Sequence, residues 1–144
     1  MSIKKRVNKR EYEFTKLFAN IAPSISDVKP IGAAFDITLV KYPMTLSGYV
    51  DNGGDLKRFQ PHIEKLINTI HHNKVLHGDL HSDNIVVNPE TNEVKIIDYG
   101  RSRYFSEVTP SVIQQFNEFL EPEEPFQTLN DIITFERTMY LRDF

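Results

Sequence analysis

The chain has 144 residues and a formal net charge of −3, with 40% hydrophobic and 26% charged residues. This length predicts about one domain, and the composition excludes a disordered tail or a collagen-like repeat. The absence of cysteine excludes disulfides, thiolate zinc sites and cysteine nucleophiles. No apolar run approaches the roughly 18 residues of a membrane span, and the N-terminus lacks the apolar segment of a secretory signal. We therefore expect a soluble, cytoplasmic protein.

Charge is unevenly distributed along the chain. Residues 4–16 carry six basic side chains against two acidic ones, whereas residues 104–136 carry seven acidic side chains and no lysine or arginine. A basic cluster can bind the phosphates of a nucleotide or a nucleic acid, or it can form a solvated helix face. The basic N-terminus contains no interleaved aromatic side chains on which bases could stack, so a nucleic-acid partner ranks last.

The predicted elements mix helices with short strands. Apolar residues at helical spacing predict four helices, over residues 9–20, 56–70, 110–120 and 128–141. Extended runs predict four strands, over residues 27–31, 35–40, 85–88 and 94–97. The last two strands flank a five-residue turn and form a hairpin, and residues 51–54 form a glycine-containing loop. Early strands followed by late helices predict an α+β fold rather than a doubly wound sheet.

The residues that carry chemistry are concentrated at one end of the predicted hairpin. Asp79 and Asn84 lie five residues apart in the loop before its first strand, and Asp98 follows its second strand. The hairpin brings two carboxylates and one amide oxygen to the same end, and such oxygen ligands suit Mg²⁺ bound together with substrate phosphates. A carboxylate held near an incoming hydroxyl can accept its proton. These are the parts that phosphoryl transfer needs.

A resemblance to the protein-kinase-like superfamily rests on two motifs. Its H-x-D-L-x-x-x-N catalytic loop is similar to residues 77–84, which read His-Gly-Asp-Leu-His-Ser-Asp-Asn, and its D-F-G metal motif resembles Asp98-Tyr99-Gly100. The resemblance implies an α+β minimal kinase-like fold trimmed at both ends, with a small sheet and one helix over a reduced, mainly helical lobe. Carried over by position, Asp79 is the catalytic base, and Asn84 and Asp98 are the metal ligands.

The resemblance extends upstream to a nucleotide pocket. Residues 38–44 resemble the strand and hinge that hold adenine, which implies a cofactor-binding set of Val40, Lys41, Tyr42 and Pro43. In that set the Lys41 backbone would face the adenine edge, and Pro43 has no N–H to donate.

A lysine–glutamate pair is implied by the same resemblance. Residues 10–14 resemble the regulatory helix, so Glu11 is expected to pair with a lysine on the strand before it. Lys4 is the expected phosphate-binding lysine, although a solvated terminal lysine is an equal interpretation of it. Lys5 is the alternative, one residue away and on the other face of a strand.

The sequence also departs from the family pattern. None of its six glycines begins a G-x-G-x-x-G loop, and the chain begins where the third strand of a kinase would lie, so we expect the two phosphate-covering strands to be absent. Gly78 stands where an Arg is common. His81 stands where many Ser/Thr kinases have a phosphate-contacting Lys, and this form partly resembles small-molecule phosphotransferases. Asp131 resembles a buried helix aspartate that braces the catalytic loop.

Three functions follow from the resemblance. The first is an ATP- and Mg²⁺-dependent phosphotransferase acting on Ser or Thr of a protein substrate, with residues 1–42 as a reduced N-lobe and 43–144 as a reduced C-lobe. The second is a catalytically weak or inactive kinase mimic that binds a partner kinase, because missing strands would leave an apolar surface uncovered. The third is a small-molecule kinase. The uncovered N-lobe surface could also pair two copies of the chain, and so compact a core points to a viral or effector protein in a host cytoplasm.

Overall fold

The N-terminal part of the chain forms a three-stranded antiparallel sheet with one helix packed against it. In the computed structural model, which describes residues 1–144, these elements are β1 (Ser2–Asn8), α1 (Lys9–Leu17), β2 (Ile25–Ile31) and β3 (Ala34–Val40). The strand order is β1-β3-β2, and Val7, Ile37 and Leu39 form the buried apolar cluster of this sheet. Pro30 is tolerated because β2 is an edge strand, where a missing N–H disrupts no ladder on the open side.

Helix α1 follows β1 without a linker. The Asn8 side chain caps it by accepting a hydrogen bond from the Glu11 N–H. The helix was predicted to reach residue 20, but it ends at Leu17, and the chain then turns through hydrogen bonds from Ile21 and Ala22 N–H groups to the Phe18 carbonyl. The earlier end arises because this turn buries its apolar side chains in the main core.

The rest of the chain contains two small sheets and four helices. Their bounds are β4 (Met44–Thr45), α2 (Leu46–Asp51), α3 (Gln60–His72), β5 (Val75–Leu76), β6 (Ile85–Asn88), β7 (Glu93–Ile96), β8 (Arg103–Tyr104), α4 (Pro110–Leu120) and α5 (Leu129–Thr138). The sheets have the orders β4-β6-β7 and β5-β8, and all pairings are antiparallel.

The β6–β7 hairpin determines where the functional loops meet. Its register places Ile85 opposite Ile96. One residue further out, the Ile97 N–H donates to the Asn84 carbonyl at 2.9 Å. The loop that precedes the hairpin and the segment that follows it therefore lie side by side at the same end.

Two apolar clusters hold the C-terminal part together. The main core contains 18 buried residues, and α3 contributes Ile63, Ile67 and Ile70 to it at helical spacing. A second cluster of five buried residues joins β5 to the two last helices through Leu76, Phe116, Leu120, Phe126 and Ile132. None of the helices has the length and apolar character needed to cross a bilayer.

The α+β class predicted from the sequence is confirmed, as are the central hairpin and the helix over 110–120. Helix α3 begins at Gln60, after a 3₁₀ turn over Leu56–Arg58, and a second such turn over Met139–Asp143 follows α5. Sequence reasoning missed α2 because it has only six residues and contains Gly48. It also missed three two-residue strands, which are too short to show an alternating pattern.

The main core supports a direct stability test. Phe59 is fully buried and meets Tyr49 edge to face, with ring centroids 5.0 Å apart. We expect Phe59→Ala to lower the free energy of unfolding in urea by about 3–5 kcal/mol, because the cavity cannot collapse fully. The control Phe144→Ala removes a ring that is 46% exposed and should cost about 0.5 kcal/mol or less. Equal losses would contradict this core.

Candidate functional site

Residues 77–84, here called the 77–84 loop, connect β5 to β6. The buried carboxylate of Glu136 anchors the start of this loop. Glu136 of α5 is 2% exposed. Its Oε1 accepts the His77 N–H at 2.8 Å, and its Oε2 accepts the Gly78 N–H at 2.9 Å. His71 Nε2 lies 2.8 Å from the same Oε1. Burial by itself raises the pKa of the Glu136 carboxyl, but the hydrogen bonds from His71 and Gly78 outweigh it, so that the pKa is lowered.

The prediction that Asp131 braces this loop is wrong. Asp131 lies in the exposed first turn of α5, where its carboxylate accepts the N–H groups of Gln127 and Thr128 and caps the helix. The bracing residue is Glu136, more than one turn further along the helix. A sequence signal for it exists, because Glu136 stands four residues from both Ile132 and Tyr140, which are fully buried.

His77 joins the 77–84 loop to the segment after the hairpin. Its Nδ1 accepts the Asp79 N–H at 3.1 Å, so its Nε2 donates to the Ile97 carbonyl at 2.8 Å. The Tyr99 ring packs edge-on against the imidazole, with centroids 5.1 Å apart. Complete burial lowers the pKa of His77, which favours the neutral ring that this pair of hydrogen bonds requires.

Gly78 allows the segment after the hairpin to approach the loop closely. It has a φ of 94°, and a Cβ at this position would overlap the Arg101 carbonyl oxygen. Ser102 Oγ also donates to the His77 carbonyl at 2.8 Å. A larger residue at position 78 would therefore separate these two segments, which accounts for the glycine where the related loops commonly have arginine.

Asp79 and Asn84 lie together, as the sequence predicts. Asn84 Nδ2 donates to the Asp79 carbonyl at 2.7 Å and lies 3.3 Å from its carboxylate Oδ2. His81 Nε2 lies 3.5 Å from the other carboxylate oxygen. The Asp79 side chain remains 21% exposed, so its carboxylate is held in place and still accessible to a substrate.

Asp98 has an unusual backbone conformation at the end of the hairpin. Its φ is 64°, a left-handed region that costs energy for a residue with a Cβ and that is concentrated at functional sites. Its Oδ1 pairs with Lys5 Nζ, and the same Nζ lies 2.5 Å from Glu11 Oε2. Burial by itself lowers the pKa of the Lys5 ammonium, but the hydrogen bonds to Asp98 and Glu11 raise it above its ordinary value.

The lysine that pairs with Glu11 is Lys5, so the prediction of Lys4 for this pair is wrong. Side chains alternate along a strand, and Lys5 shares a face of β1 with the buried Val7. Lys4 is on the opposite, exposed face. The apolar residues at positions 3 and 7 are the sequence signal that would have selected Lys5.

These charged groups border a cavity of about 470 Å³ between the first sheet and the hairpin. Its volume is typical of a site for a small molecule or cofactor. Apolar and hinge residues make up much of its wall, among them Ile3, Ile37, Leu39, Val40, Lys41, Tyr42, Pro43, Met44, Val86 and Ile97. Lys5, Glu11 and Asp98 line the same cavity. The chain thus offers an apolar slot lined by the two carboxylates and the Lys5 ammonium, and Lys4 and Lys41 also border it.

The hinge, residues 40–43, has few backbone N–H groups that are free to donate to a ligand. The Lys41 N–H donates to the Met1 carbonyl at 3.1 Å, and Pro43 has no N–H. The Lys41 carbonyl and the Tyr42 N–H have no protein partner. Tyr42 Oη donates to Glu93 at 3.0 Å and ties the hinge to β7. Burial, with help from Glu93, raises the pKa of Tyr42 to about 12.

The donor set near Asp98 fits a magnesium ion. The Asp98 carboxylate is accessible, and the Asn84 Oδ1 accepts no hydrogen bond from the protein, because the contacts of this amide use its Nδ2. These are hard oxygen donors, and Mg²⁺ typically takes one or two of them and completes its shell with phosphate oxygens and water. The structure contains no cluster of three or more His, Asp or Glu side chains that could hold a metal ion by themselves.

Comparison with known proteins agrees with this geometry. The protein kinase domain family matches residues 44–124, more than half of the chain and the part that contains Asp79, Asn84 and Asp98. The chain is 36% identical over 89 residues to serine/threonine-protein kinase WNK8 of Arabidopsis thaliana, covering 58% of this chain and 16% of that protein. It is 43% identical over 49 residues to serine/threonine-protein kinase prpf4B of Dictyostelium discoideum, covering 33% of this chain and 6% of that protein. The matches therefore span less than a fifth of these relatives.

The bracing role of Glu136 can be tested against Asp131. We expect Glu136→Gln to lower the free energy of unfolding by about 3 kcal/mol or more, because an amide cannot accept from both the His77 and Gly78 N–H groups. Asp131→Asn keeps an oxygen that can accept from Gln127 and Thr128 and removes only an exposed charge, so it should cost about 0.5 kcal/mol or less. Urea unfolding of the two variants measures the difference. A larger loss in Asp131→Asn would contradict this assignment.

The difference in unfolding free energy between the wild-type protein and Glu136→Gln should depend on pH. Because folding lowers the pKa of Glu136, its carboxylate stabilises the native state above the ordinary value of 4.5, and this contribution is lost as the pH falls below that value. Wild-type stability should therefore decrease more steeply with acidification in this range than that of Glu136→Gln. Parallel pH profiles would contradict a charged Glu136 in the native protein.

Proposed function

Because the chain belongs to the protein kinase domain family, we propose that it transfers the γ-phosphoryl group of ATP to a serine or threonine hydroxyl of a protein. The observation that carries the proposal is that Lys5, Glu11 and Asp98 line one cavity. Asn84 lies beside them, because its carbonyl accepts a hydrogen bond from the N–H of Ile97. The serine/threonine acceptor rests on the names of the two relatives.

In this proposal the hinge binds the adenine base. The Lys41 carbonyl accepts a hydrogen bond from the adenine amino group, and the Tyr42 N–H donates to a ring nitrogen, since both backbone groups lack protein partners. Ile37, Leu39 and Val86 cover the faces of the base. Burial of this apolar ring contributes affinity, and the two hydrogen bonds orient the nucleotide.

Lys5 binds the phosphates. Its raised pKa keeps the ammonium charged at neutral pH, and Glu11 holds it at 2.5 Å. Asp98 and Asn84 supply oxygen ligands for the magnesium ion. When bound, Mg²⁺ neutralises charge on the phosphates and aligns them for transfer.

Asp79 accepts the proton of the attacking hydroxyl. Asn84 and His81 hold its carboxylate from two sides, at 3.3 and 3.5 Å. Its loop is fixed by the buried Glu136, so little reorganisation is needed when the acceptor arrives. Catalysis of this kind depends on positioning and electrostatics, which a small scaffold can supply.

Substitutions of Asp98 and Asp79 should impair different steps, the first ATP binding and the second turnover. We expect Asp98→Ala to abolish Mg²⁺-dependent ATP binding in calorimetric titration, because it removes the principal metal ligand. Asp79→Asn should keep ATP affinity but lower turnover on a Ser/Thr peptide library by on the order of 100-fold or more, because it removes the base.

The matched control for both is Asp83→Asn in the same loop. Asp83 is exposed and accepts a hydrogen bond from Ser47, so both binding and turnover should persist. Mg²⁺-dependent binding that survives in Asp98→Ala would contradict the metal assignment. No detectable ATP binding by the wild-type protein would contradict the proposed function.

The two neighbouring lysines provide a second test. Lys5→Ala should lower turnover by on the order of 100-fold, because a preorganised cation on the phosphates is lost. Lys4→Ala, one residue away on the exposed face, should lower it by less than about twofold. Steady-state rates at saturating and limiting ATP separate effects on kcat from those on KM. Reversed sensitivities would reinstate Lys4 as the phosphate-binding residue.

A further inference from the structure

The second half of the 77–84 loop is held by a residue from the 3₁₀ turn that follows α5. Asp143 Oδ2 accepts the Ser82 N–H at 2.9 Å and the Ser82 hydroxyl at 2.5 Å. Ser82 is 2% exposed, whereas Asp143 lies at the surface. Glu136 bonds to N–H groups at the start of the loop. Asp143 therefore provides a second attachment, at the opposite end.

Ser82 lies between the proposed base, Asp79, and the proposed metal ligand, Asn84. It begins a 3₁₀ turn that ends at Asn84. The Asn84 N–H donates to the His81 carbonyl at 3.0 Å, and Asn84 Nδ2 donates to the Asp79 carbonyl at 2.7 Å. The segment from Asp79 to Asn84 is thus closed by its own hydrogen bonds. A displacement of Ser82 would therefore be transmitted to Asn84.

The contact with Asp143 is the only one that the Ser82 hydroxyl makes. Leu80 anchors the same segment by apolar packing in the main core, and the Ile97 N–H anchors its far end through the Asn84 carbonyl. Neither contact replaces the lost acceptor if the Asp143 carboxylate is removed. A buried N–H and a buried hydroxyl would then lack a partner, and the turn would have to move to reach water.

We propose that Asp143 is a positioning residue that fixes the Ser82–Asn84 turn, so that Asn84 Oδ1 stays directed to the magnesium ion at a constant distance from Asp79. Asp143 acts through Ser82 and does not line the cavity. Residues that orient a metal ligand without touching the metal commonly affect metal affinity strongly. The effect on magnesium rests on the proposed function, whereas the effect on the mobility of the turn does not.

The test uses Asp143→Ala in the full chain. Calorimetric titration with ATP is repeated over a range of Mg²⁺ concentrations and without Mg²⁺. We expect the Mg²⁺ concentration for half-maximal ATP binding to rise by on the order of tenfold. The affinity for ATP without Mg²⁺ should stay unchanged, because the cavity wall is intact. A general loss of structure would weaken both kinds of binding equally.

Two control variants separate the hydrogen bonds from the charge. Asp143→Asn removes the same charge as Asp143→Ala but keeps an oxygen that can accept both bonds from Ser82, so its Mg²⁺ dependence should remain close to that of the wild-type protein. Asp83→Asn changes the exposed neighbour of Ser82 and should also leave it unchanged. An equal shift in either control would overturn the inference, as would an unchanged Mg²⁺ dependence in Asp143→Ala.

Hydrogen exchange of the Ser82 N–H, measured by NMR, tests the attachment without ATP. Exchange should accelerate by on the order of tenfold or more in Asp143→Ala and much less in Asp143→Asn, because only the first variant frees the turn. If the wild-type protein binds no ATP and exchange still accelerates, the proposed function fails while the attachment of the turn stands. Unchanged exchange in Asp143→Ala would overturn the inference in either case.

Discussion

The site depends on one buried carboxylate. The loop that carries Asp79 has no regular secondary structure at its start, so its N–H groups need partners from elsewhere. Glu136 supplies them by accepting from His77 and Gly78 while it also contacts His71. A buried charge without such partners would be strongly destabilising. The same hydrogen bonds thus satisfy the carboxylate and fix the backbone on which the proposed base stands.

The rest of the site depends on the close approach of two segments, the 77–84 loop and the segment that follows the hairpin. His77 bridges the loop to the Ile97 carbonyl, and Ser102 Oγ returns a hydrogen bond to the His77 carbonyl. Gly78 makes that approach sterically feasible. The strained backbone of Asp98 is held between these contacts, which turns its carboxylate towards Lys5. Packing and hydrogen bonds in the C-terminal part therefore determine the position of Asp98 at its end of the cavity.

The N-terminal sheet and α1 complete the site from the opposite side. Lys5 interacts with Glu11 and with Asp98, so one ammonium joins the sheet, the helix and the hairpin. This arrangement leaves the cavity of about 470 Å³ between sheet and hairpin, which residues 40–43 also line. Because charged groups near the surface interact only weakly in water, the alignment of Lys5 relies on several contacts together rather than on a single ion pair.

Much of this organisation was predictable from local patterns. The hairpin follows from two β-rich runs around a turn, and its geometry alone places Asn84 beside the segment that carries Asp98. The lysine of the Glu11 pair was assigned one residue too early, because the assignment followed motif spacing and not the alternation of apolar residues along β1. The occupied Lys41 N–H was not foreseeable either, since its partner is the distant Met1 carbonyl.

The sequence by itself determined the α+β class, the hairpin and the identity of the three polar residues at its end, because these depend on short-range periodicity and spacing. Only the tertiary structure decided that Glu136 braces the loop in place of Asp131, and that Asp143 meets Ser82 across 61 residues of chain. The helical spacing of Glu136 from Ile132 and Tyr140 indicates that its side chain faces the core. The partners of a buried carboxylate, however, depend on how separate elements pack, which is a long-range property that no local pattern of residues encodes.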